Sequence, residues 1–359
     1  MSKIFPPQPS ASENAHIPSM EKYEEIYQSS IADPEKFWAE TALRINWIKP
    51  WEMVRYFDFV NGNIRWFDGG KLNVSANCLD RHVENGHGDQ TAIIWEGNDP
   101  NQSRHYSYND VLKEVGTFAN ALKSLGVEKG DRICLYMQMI PELAFAMLAC
   151  ARIGAVHSVV FGAFSSDSLR DRINDSECKI LITQDTGVRG KKQNIPMKVK
   201  ADTAVAETPS IEHVIVVRRT GEPVAMDSDR DIWWHEATSG VDSVCIPEEM
   251  GAEDPLFILY TSGSTGKPKG VLHTTGGYLV YTSFSHEMIF DYQPGDIYWC
   301  TADIGWITGH SYIVYGPLAN GATTVMFEGV PNYPNFGRFW DVVDKHKINQ
   351  FYTAPTALR

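Results

Sequence analysis

Closely spaced cysteines are missing from this chain, and no two of them form a C-x-x-C pair. The 359 residues include only six, which are Cys78, Cys134, Cys150, Cys178, Cys245 and Cys300. Because metal knuckles and disulfide frameworks depend on closely spaced cysteines, this spacing argues against both kinds of site. The sequence therefore predicts reduced thiols in the core.

Long apolar runs and an excess of positive charge are missing as well. No window approaches the roughly 18 apolar residues of a membrane span, and the N-terminus lacks the apolar stretch of a secretory signal. The formal net charge of −13 disfavours binding to nucleic acid or to anionic membrane, since either surface would repel the chain. We therefore expect a cytoplasmic monomer or weak oligomer that binds small molecules and neither nucleic acid nor membrane.

The composition is that of a globular protein, with 43% apolar and 11% aromatic residues, and it predicts one large domain or two. Residues 1–20 are rich in Pro, Ser and Asn and are predicted to be disordered or loosely draped. Residues 21–80 are aromatic and irregular, which is typical of a segment that wraps around a domain. From residue 81 onward, strand and helix patterns alternate.

This alternation predicts a doubly wound, mostly parallel α/β sheet with helices on both faces. Helices are predicted to begin at Ser107, Pro141 and Ser165. Strands are predicted at residues 91–95, 133–137, 156–161, 179–183, 214–217, 256–259, 323–327 and 349–352. A last helix is predicted to start at Pro355, but the segment from there to Arg359 is too short to form a stable helix by itself. We therefore expect the N-terminal portion of a longer protein, with a truncated fold.

Residues 260–270 read Tyr-Thr-Ser-Gly-Ser-Thr-Gly-Lys-Pro-Lys-Gly and follow a predicted buried strand. Glycines let backbone N–H groups approach an anion, hydroxyls add hydrogen bonds, and lysines neutralise charge, so the segment predicts a triphosphate-binding loop. It does not fit the Walker pattern, because Gly263 and Gly266 enclose only two residues and Lys267 precedes a proline. A flexible Gly/Ser surface linker is the alternative, although such linkers seldom follow a buried strand.

The same segment resembles the signature of the adenylate-forming enzymes, the acyl-CoA synthetase superfamily, and within it the acetyl-CoA synthetase family. Further matching blocks are residues 161–165, 187–189, 271–279, 300–312, 327–332 and 352–356, so the resemblance runs from about Glu21 to Arg359. It implies the large N-terminal domain of the adenylate-forming fold. Residues 21–80 would be the family's N-terminal extension and residues 81–359 an incomplete adenylation domain, without the mobile C-terminal domain.

The resemblance implies a ligase that uses ATP, Mg²⁺ and coenzyme A. Acetate attacks the α-phosphorus of ATP to form acetyl-adenylate and diphosphate, and the thiol of coenzyme A then displaces AMP. Because an anion must approach a polyanion, positioning and positive charge dominate the first step. The phosphate ligands implied are Thr261, Ser262, Gly263, Ser264, Thr265, Gly266 and Lys267, with Lys267 and Thr265 catalytic. Lys269 is either a further ligand or a solvated side chain.

Trp306, Ile307 and Thr308 match the family's acyl pocket. A large indole and a branched aliphatic chain can enclose one methyl group, and the flanking glycines allow a sharp backbone turn. The alternative is that Trp306 and Ile307 are ordinary core residues.

The turn at residues 189–192 supplies three cations and matches the family's coenzyme A turn. The ligands implied for coenzyme A are Arg189, Gly190, Lys191, Lys192, Thr308 and Asn332. Lys192 stands where relatives often have arginine, which keeps the charge but loses the bidentate fork. Without the resemblance, a short basic turn would be interpreted as a solvated surface.

His273 and His310 are predicted to be structural, because acetate is already ionised at neutral pH and needs no general base. Asp303 lies near the acyl segment, but the sequence gives it no derivable role. Asp80, His82 and His87 lack a recognisable metal-ligand pattern. The magnesium ligands of the family are expected beyond Arg359, and none is assigned in this chain.

Several alternatives remain open at this stage. Propionate or another short-chain acid would fit the same motifs, and a non-catalytic nucleotide-binding protein would retain the same fold. A kinase or ATPase would require a Walker loop or a kinase Gly-rich loop, and neither is present in the sequence. Since the family's catalytic lysine lies in the mobile domain, we expect the 359 residues alone to make little or no acetyl-CoA.

Overall fold

The computed structural model describes residues 9–261 and 268–358. In chain order the helices are α1 Pro9–Ser12, α2 Met20–Ala32, α3 Pro34–Ala42, α4 Val74–Cys78, α5 Asp80–His82, α6 Tyr108–Ser124, α7 Pro141–Ile153, α8 Ser166–Ser176, α9 Met197–Val205, α10 Trp234–Ala237, α11 Gly276–Phe290, α12 Ile307–Gly309, α13 Gly316–Ala319, α14 Arg338–His346 and α15 Pro355–Leu358. Two further segments, Val83–His87 and His310–Tyr315, are π-helical.

The strands are β1 Met53–Asp58, β2 Asn63–Asp68, β3 Lys71–Leu72, β4 Thr91–Glu96, β5 Ser103–Ser107, β6 Arg132–Tyr136, β7 Val156–Val159, β8 Ile180–Gln184, β9 Gly187–Arg189, β10 Lys192–Ile195, β11 His213–Val217, β12 Asp231–Trp233, β13 Met250–Gly251, β14 Pro255–Thr261, β15 Lys269–Thr274, β16 Ile297–Cys300, β17 Thr323–Phe327 and β18 Gln350–Tyr352.

Two large sheets organise the molecule. The first has seven strands in the order β12-β11-β8-β6-β7-β14-β15, and its neighbours run parallel except for β14 and β15. The second has five strands in the order β18-β16-β17-β4-β5 and is parallel except for β4 and β5. The prediction of a doubly wound, mostly parallel α/β fold is therefore confirmed.

Helices cover both faces of the seven-stranded sheet. Along β6, Ile133 and Leu135 join the core formed with α6 and α7, whereas Cys134 and Tyr136 join the core formed with α8 and α9. This alternation is the period of two that a strand imposes on its side chains. The helix α7 has every residue except Glu142 buried, as expected for a helix packed inside the molecule.

The predicted helix starts are confirmed. The Ser107 hydroxyl accepts a hydrogen bond from the Asp110 N–H at 3.1 Å, and Asp110 accepts one from the Ser107 N–H at 2.9 Å, which is a capping box. Pro141 occupies the first turn of α7, and Ser165 caps α8. The strand β7 ends at Val159, earlier than predicted, because the chain leaves the sheet there and carries Phe161 to the cavity described below.

The antiparallel strands were missed from the sequence, and so were the short parallel strands β12 and β16. The strands β5 and β15 lie at sheet edges, and β1–β2 and β9–β10 are separate hairpins. Their exposed residues interrupt the apolar patterns by which the buried parallel strands were found; β15, for example, is exposed or half-exposed throughout. Exposed edge strands carry a weaker hydrophobic signal than central ones.

The N-terminal region packs against α11. His16 donates its backbone N–H to Asp291 at 2.8 Å, and its ring bonds the Tyr292 carbonyl at 2.8 Å, so this part of residues 1–20, predicted to be disordered or draped, is attached to the domain. The Trp38 ring contacts those of Trp66 and Phe284 edge-on. The aromatic residues of this region thus bind it to the surface of the helix.

All six cysteines are buried free thiols, as predicted. Burial raises the pKa of Cys78 and of Cys300 to about 12, so neither is a thiolate near neutral pH. None of the described helices has the length and apolar character needed to cross a membrane.

Candidate functional site

A cavity of about 550 Å³ lies beyond the carboxyl ends of parallel strands from both large sheets. Its walls come from the segments that follow β6, β7, β16 and β17, at Gln138, Phe161, Asp303 and Glu328 respectively. Ligands in open α/β proteins bind at this end of the strands, where connecting segments diverge. The topology therefore marks this cavity as the candidate site.

The predicted basic turn lines this cavity. Arg189 and Lys192 face each other across the β9–β10 hairpin, and both belong to the cavity wall. Gly190, the first of the two residues between them, has φ +58, and a Cβ there would lie 3.2 Å from the Val330 side chain, so this position favours glycine. Lys191 is exposed and is not among the described residues that line the cavity.

Two side-chain amides hold the turn in place. The Asn98 oxygen accepts a hydrogen bond from the Gly190 N–H at 2.6 Å, and the Asn98 nitrogen donates to the Gly190 carbonyl at 3.0 Å. Gln138 makes the same pair of bonds with Val188, at 2.9 and 3.0 Å. Asn98 follows β4 and Gln138 follows β6, so the turn is attached to both sheets. Sequence reasoning missed these residues because their partners are distant in the chain.

The predicted acyl segment is divided between two cavities. Trp306 lines the first cavity and is 53% exposed. Ile307 is 40% exposed and lines a second cavity of about 500 Å³, which also contains Trp66 and Tyr278. The alternative that Trp306 and Ile307 are ordinary core residues is therefore wrong. Thr308 is not among the described residues that line either cavity.

Asp303 is a site residue to which the sequence assigned no role. It lines the first cavity, and its carboxylate accepts a hydrogen bond from the Gly305 N–H at 2.7 Å. Burial raises the pKa of Asp303 to about 6, although the Gly305 bond and the charge of Arg189 act in the opposite direction. A carboxyl group held in such an environment beside a cavity is a functional candidate.

Replacing Asp303 with asparagine is expected to stabilise the protein at neutral pH. With a folded pKa of about 6 and a lower unfolded pKa, the contribution of Asp303 to the stability of the wild type decreases as pH rises from about 4 to 6. Asparagine carries no charge and keeps an acceptor for Gly305, so the variant should gain about 1–3 kcal/mol over wild type at pH 7. Urea unfolding of both proteins at pH 4.5 and 7.5 measures this difference. A gap that does not widen with pH would contradict the prediction.

The predicted phosphate loop is described only at its two ends. Thr261 ends β14 and pairs with Lys269 at the start of β15, and both are exposed. Thr261 lies at the carboxyl end of a strand in the parallel part of the sheet, where the prediction requires it. The remaining predicted ligands lie outside the described residues, namely Ser262, Gly263, Ser264, Thr265, Gly266 and Lys267.

The rings of His310 and His273 both lie against Phe257, and His273 also lines the second cavity. His310 is buried, its ring centroid lies 4.6 Å from that of Phe257, and burial lowers the pKa of its ring to about 4. His273 stacks on the same phenylalanine at 4.5 Å, and burial also lowers its pKa. Both rings are therefore neutral at pH 7.

Asn332, predicted to contact coenzyme A, is exposed and follows Pro331, which lines the first cavity.

Comparison with known proteins shows the family to which this chain belongs. Residues 79–359 match the family described as AMP-binding enzyme, and the chain belongs to that family. Residues 23–78 match the family described as acetyl-coenzyme A synthetase N-terminus. The resemblance inferred from the sequence motifs is thus confirmed.

Individual relatives specify the resemblance further. The chain is 59% identical over 358 residues to the acetyl-coenzyme A synthetase of Magnetococcus marinus, covering 99% of this chain and 55% of that protein. It is 60% identical over 357 residues to the acetyl-coenzyme A synthetase of Saccharophagus degradans, with the same coverage. It is also 60% identical over 339 residues to acetyl-coenzyme A synthetase 2 of Pseudomonas putida, covering 94% of this chain and 52% of that protein. The chain therefore spans about half the length of these curated relatives.

Proposed function

We propose that this chain forms the large-domain part of an acetyl-CoA synthetase, an AMP-forming acetate–CoA ligase. The observation that supports this most directly is the cavity at the carboxyl ends of both sheets, where Arg189 and Lys192 offer positive charge and Trp306 forms part of the wall. Such a cavity suits a phosphorylated cofactor that must reach an acyl group. We further propose that residues 21–80 form an N-terminal extension and that residues 81–359 belong to the adenylation domain.

The reaction needs electrostatic assistance in its first step. The attacking acetate is negative, and negative charge increases on the departing diphosphate, so N–H groups, hydroxyls and a lysine at the phosphates lower the barrier. We assign this role to the segment between β14 and β15, with Lys267 and Thr265 closest to the reacting phosphate. The proposed phosphate ligands are Thr261, Ser262, Gly263, Ser264, Thr265, Gly266 and Lys267.

In the second step the thiol of coenzyme A attacks the acyl carbon, and AMP leaves. The cavity supports this step because the basic turn lies on its wall together with Trp306, so the charged end of the cofactor and the acyl segment share one space. The proposed acyl residues are Trp306, Ile307 and Thr308. The proposed coenzyme A ligands are Arg189, Gly190, Lys191, Lys192, Thr308 and Asn332.

Magnesium enters this scheme as part of the MgATP substrate. Among residues 9–261 and 268–358 no group of three or more His, Cys, Asp or Glu side chains could hold a metal ion. We infer small-molecule partners only, a cytoplasmic location, and a monomer or weak oligomer.

The test is a substrate-dependent assay of the purified gene product that contains residues 1–359. Acetate should support exchange between ATP and diphosphate in the absence of coenzyme A, and adding coenzyme A should release AMP and acetyl-CoA. Propionate, measured in parallel, is expected to give the lower kcat/KM because the proposed pocket encloses a methyl group. Formation of ADP, or turnover that does not require a carboxylate, would refute the proposed function.

A further inference from the structure

A third cation lines the cavity that contains the basic turn. Lys200 lies on helix α9, eight residues beyond Lys192, and its side chain forms part of the same wall as Arg189 and Lys192. No motif in the sequence singled it out, and it lies outside the turn from which a coenzyme A site was predicted. Unlike the other two cations, which are exposed, Lys200 is half-buried.

These three cations lack carboxylate partners among the described residues, although the chain carries an excess of acids. Of the two acidic groups of the same cavity, Glu328 is paired elsewhere, whereas the charge of Arg189 acts on Asp303. Glu328 accepts hydrogen bonds from the Arg219 guanidinium at 2.9 and 2.7 Å, and Asp303 accepts one from Gly305. Three like charges around one cavity repel each other unless an anion lies between them. The arrangement is therefore complementary to a polyanion.

The position of Lys200 is defined by a buried ion cluster on the opposite side of its helix. The Lys198 ammonium lies 2.6 Å from an oxygen of Asp202 and 2.6 Å from an oxygen of Asp231, and only 1% of its side chain is exposed. It also donates to the Ala225 carbonyl at 3.0 Å. Residues two apart on a helix point in directions roughly 200° apart. Anchoring Lys198 in the core thus orients α9 with Lys200 toward the cavity.

We propose that Lys200 is the third phosphate-binding cation of this cavity and acts with Arg189 and Lys192 on the phosphates of coenzyme A. This inference rests on the proposed function, since it assigns a further residue to the same cofactor. Coenzyme A carries a 3′-phosphate and a diphosphate, and of the three cations in the turn only Arg189 and Lys192 line the cavity, so Lys200 adds positive charge for these phosphates on the cavity wall. A lysine on a four-carbon stem suits this role as a mobile point charge.

The experiment compares Lys200→Gln with wild type in the purified gene product. Calorimetric titration should show coenzyme A affinity reduced about tenfold, the effect expected for one lost hydrogen bond between charged groups. The KM for coenzyme A should rise by a similar factor. Acetate-dependent exchange between ATP and diphosphate, which uses no coenzyme A, should stay unchanged. Lys200→Arg should recover most of the affinity.

A matched control is Lys123→Gln, which removes an exposed lysine from α6 that does not line the cavity. It should change neither measurement. Titration with 3′-dephospho-coenzyme A locates the contact: if the loss disappears with this ligand, Lys200 binds the 3′-phosphate, and if the loss persists, it binds the diphosphate.

Two results would overturn the inference. Coenzyme A binding by Lys200→Gln within twofold of wild type would show that the lysine makes no contact, and equal losses in binding and exchange would show a general structural role. Failure of the proposed function has a different signature, because wild type itself would then show no acetate-dependent exchange. Binding of coenzyme A is measured directly, so the two failures are distinguishable.

Discussion

Replacing Gly309 with alanine is expected to lower acetate-dependent exchange between ATP and diphosphate by about 100-fold or more. A Cβ at this position would lie 2.3 Å from the Asp303 carbonyl oxygen and 2.5 Å from Ile304 Cα, and both of these are backbone atoms. Because backbone cannot move aside as a flexible side chain can, the end of α12 at Gly309 must separate from the Asp303–Ile304 segment. That movement would displace Trp306, Ile307 and Asp303 together, and misplacement by about 1 Å is enough for a loss of this size.

The matched control is Gly337→Ala at the start of α14. A Cβ there would crowd the Asn335 side chain, at 2.9 Å, and would touch the Asp341 carboxylate only at ordinary contact distance, 3.9 Å; the exposed Asn335 side chain can move. This variant should retain activity within about threefold of wild type, because its overpacking is relieved locally. Thermal unfolding confirms that both variants are folded. Full exchange activity in folded Gly309→Ala would show that the acyl segment does not depend on this close contact.

Replacing Glu96 with alanine is expected to reduce the free energy of unfolding by about 3–5 kcal/mol. The Glu96 carboxylate is fully buried and accepts hydrogen bonds from Arg338, Lys345 and His346, each at 2.8 Å. Alanine would leave Arg338, which is itself only 1% exposed, as an unpaired buried charge. Urea unfolding at pH 7, followed by circular dichroism, measures the difference.

The exposed pair between Lys22 and Glu25 is the control, since its separation of 2.9 Å is similar but its side chains are 42% and 69% exposed. Glu25→Ala should change the free energy of unfolding by no more than about 1 kcal/mol.

The pH dependence of the stabilisation by Glu96 gives a second test. Burial acts to raise the pKa of Glu96, but hydrogen bonds from His346, Lys345 and Arg338 outweigh it and lower the pKa. Its stabilisation is therefore complete above the unfolded pKa and is lost as pH falls through the folded one. Equal effects at positions 25 and 96 would contradict the prediction.

The buried Glu96 carboxylate also links the stability of the fold to the cavity of the candidate site. The Glu328 N–H donates to the Glu96 carbonyl at 3.0 Å, so the segment that follows β17 and lines the cavity is attached to the end of β4. A variant at Glu96 is thus expected to loosen one wall of the cavity as well as the sheet.

Sequence patterns alone located eight strands of the two large sheets and the helices α6, α7 and α8, but they missed β16 inside the five-stranded sheet and the helices α9, α11 and α14. Strands such as β6 and β17 are buried on both faces, and their continuous apolar runs are visible without any tertiary information. The Ser107 capping box and the first-turn Pro141 are local as well, because each interaction joins residues that are close in the chain. The motifs at residues 189–192, 260–270 and 305–309 were found for the same reason.

What only the tertiary structure decided is how those motifs meet. Asn98 and Gln138 hold the basic turn, Asp303 lies beside Arg189, and Lys200 joins the same cavity, although all four come from different parts of the chain. The sheet order brings them together, and no local pattern encodes strand order. Local hydrogen bonding and the periodicity of burial thus determined the elements, whereas the alignment of strand ends, which depends on contacts between distant residues, determined the site.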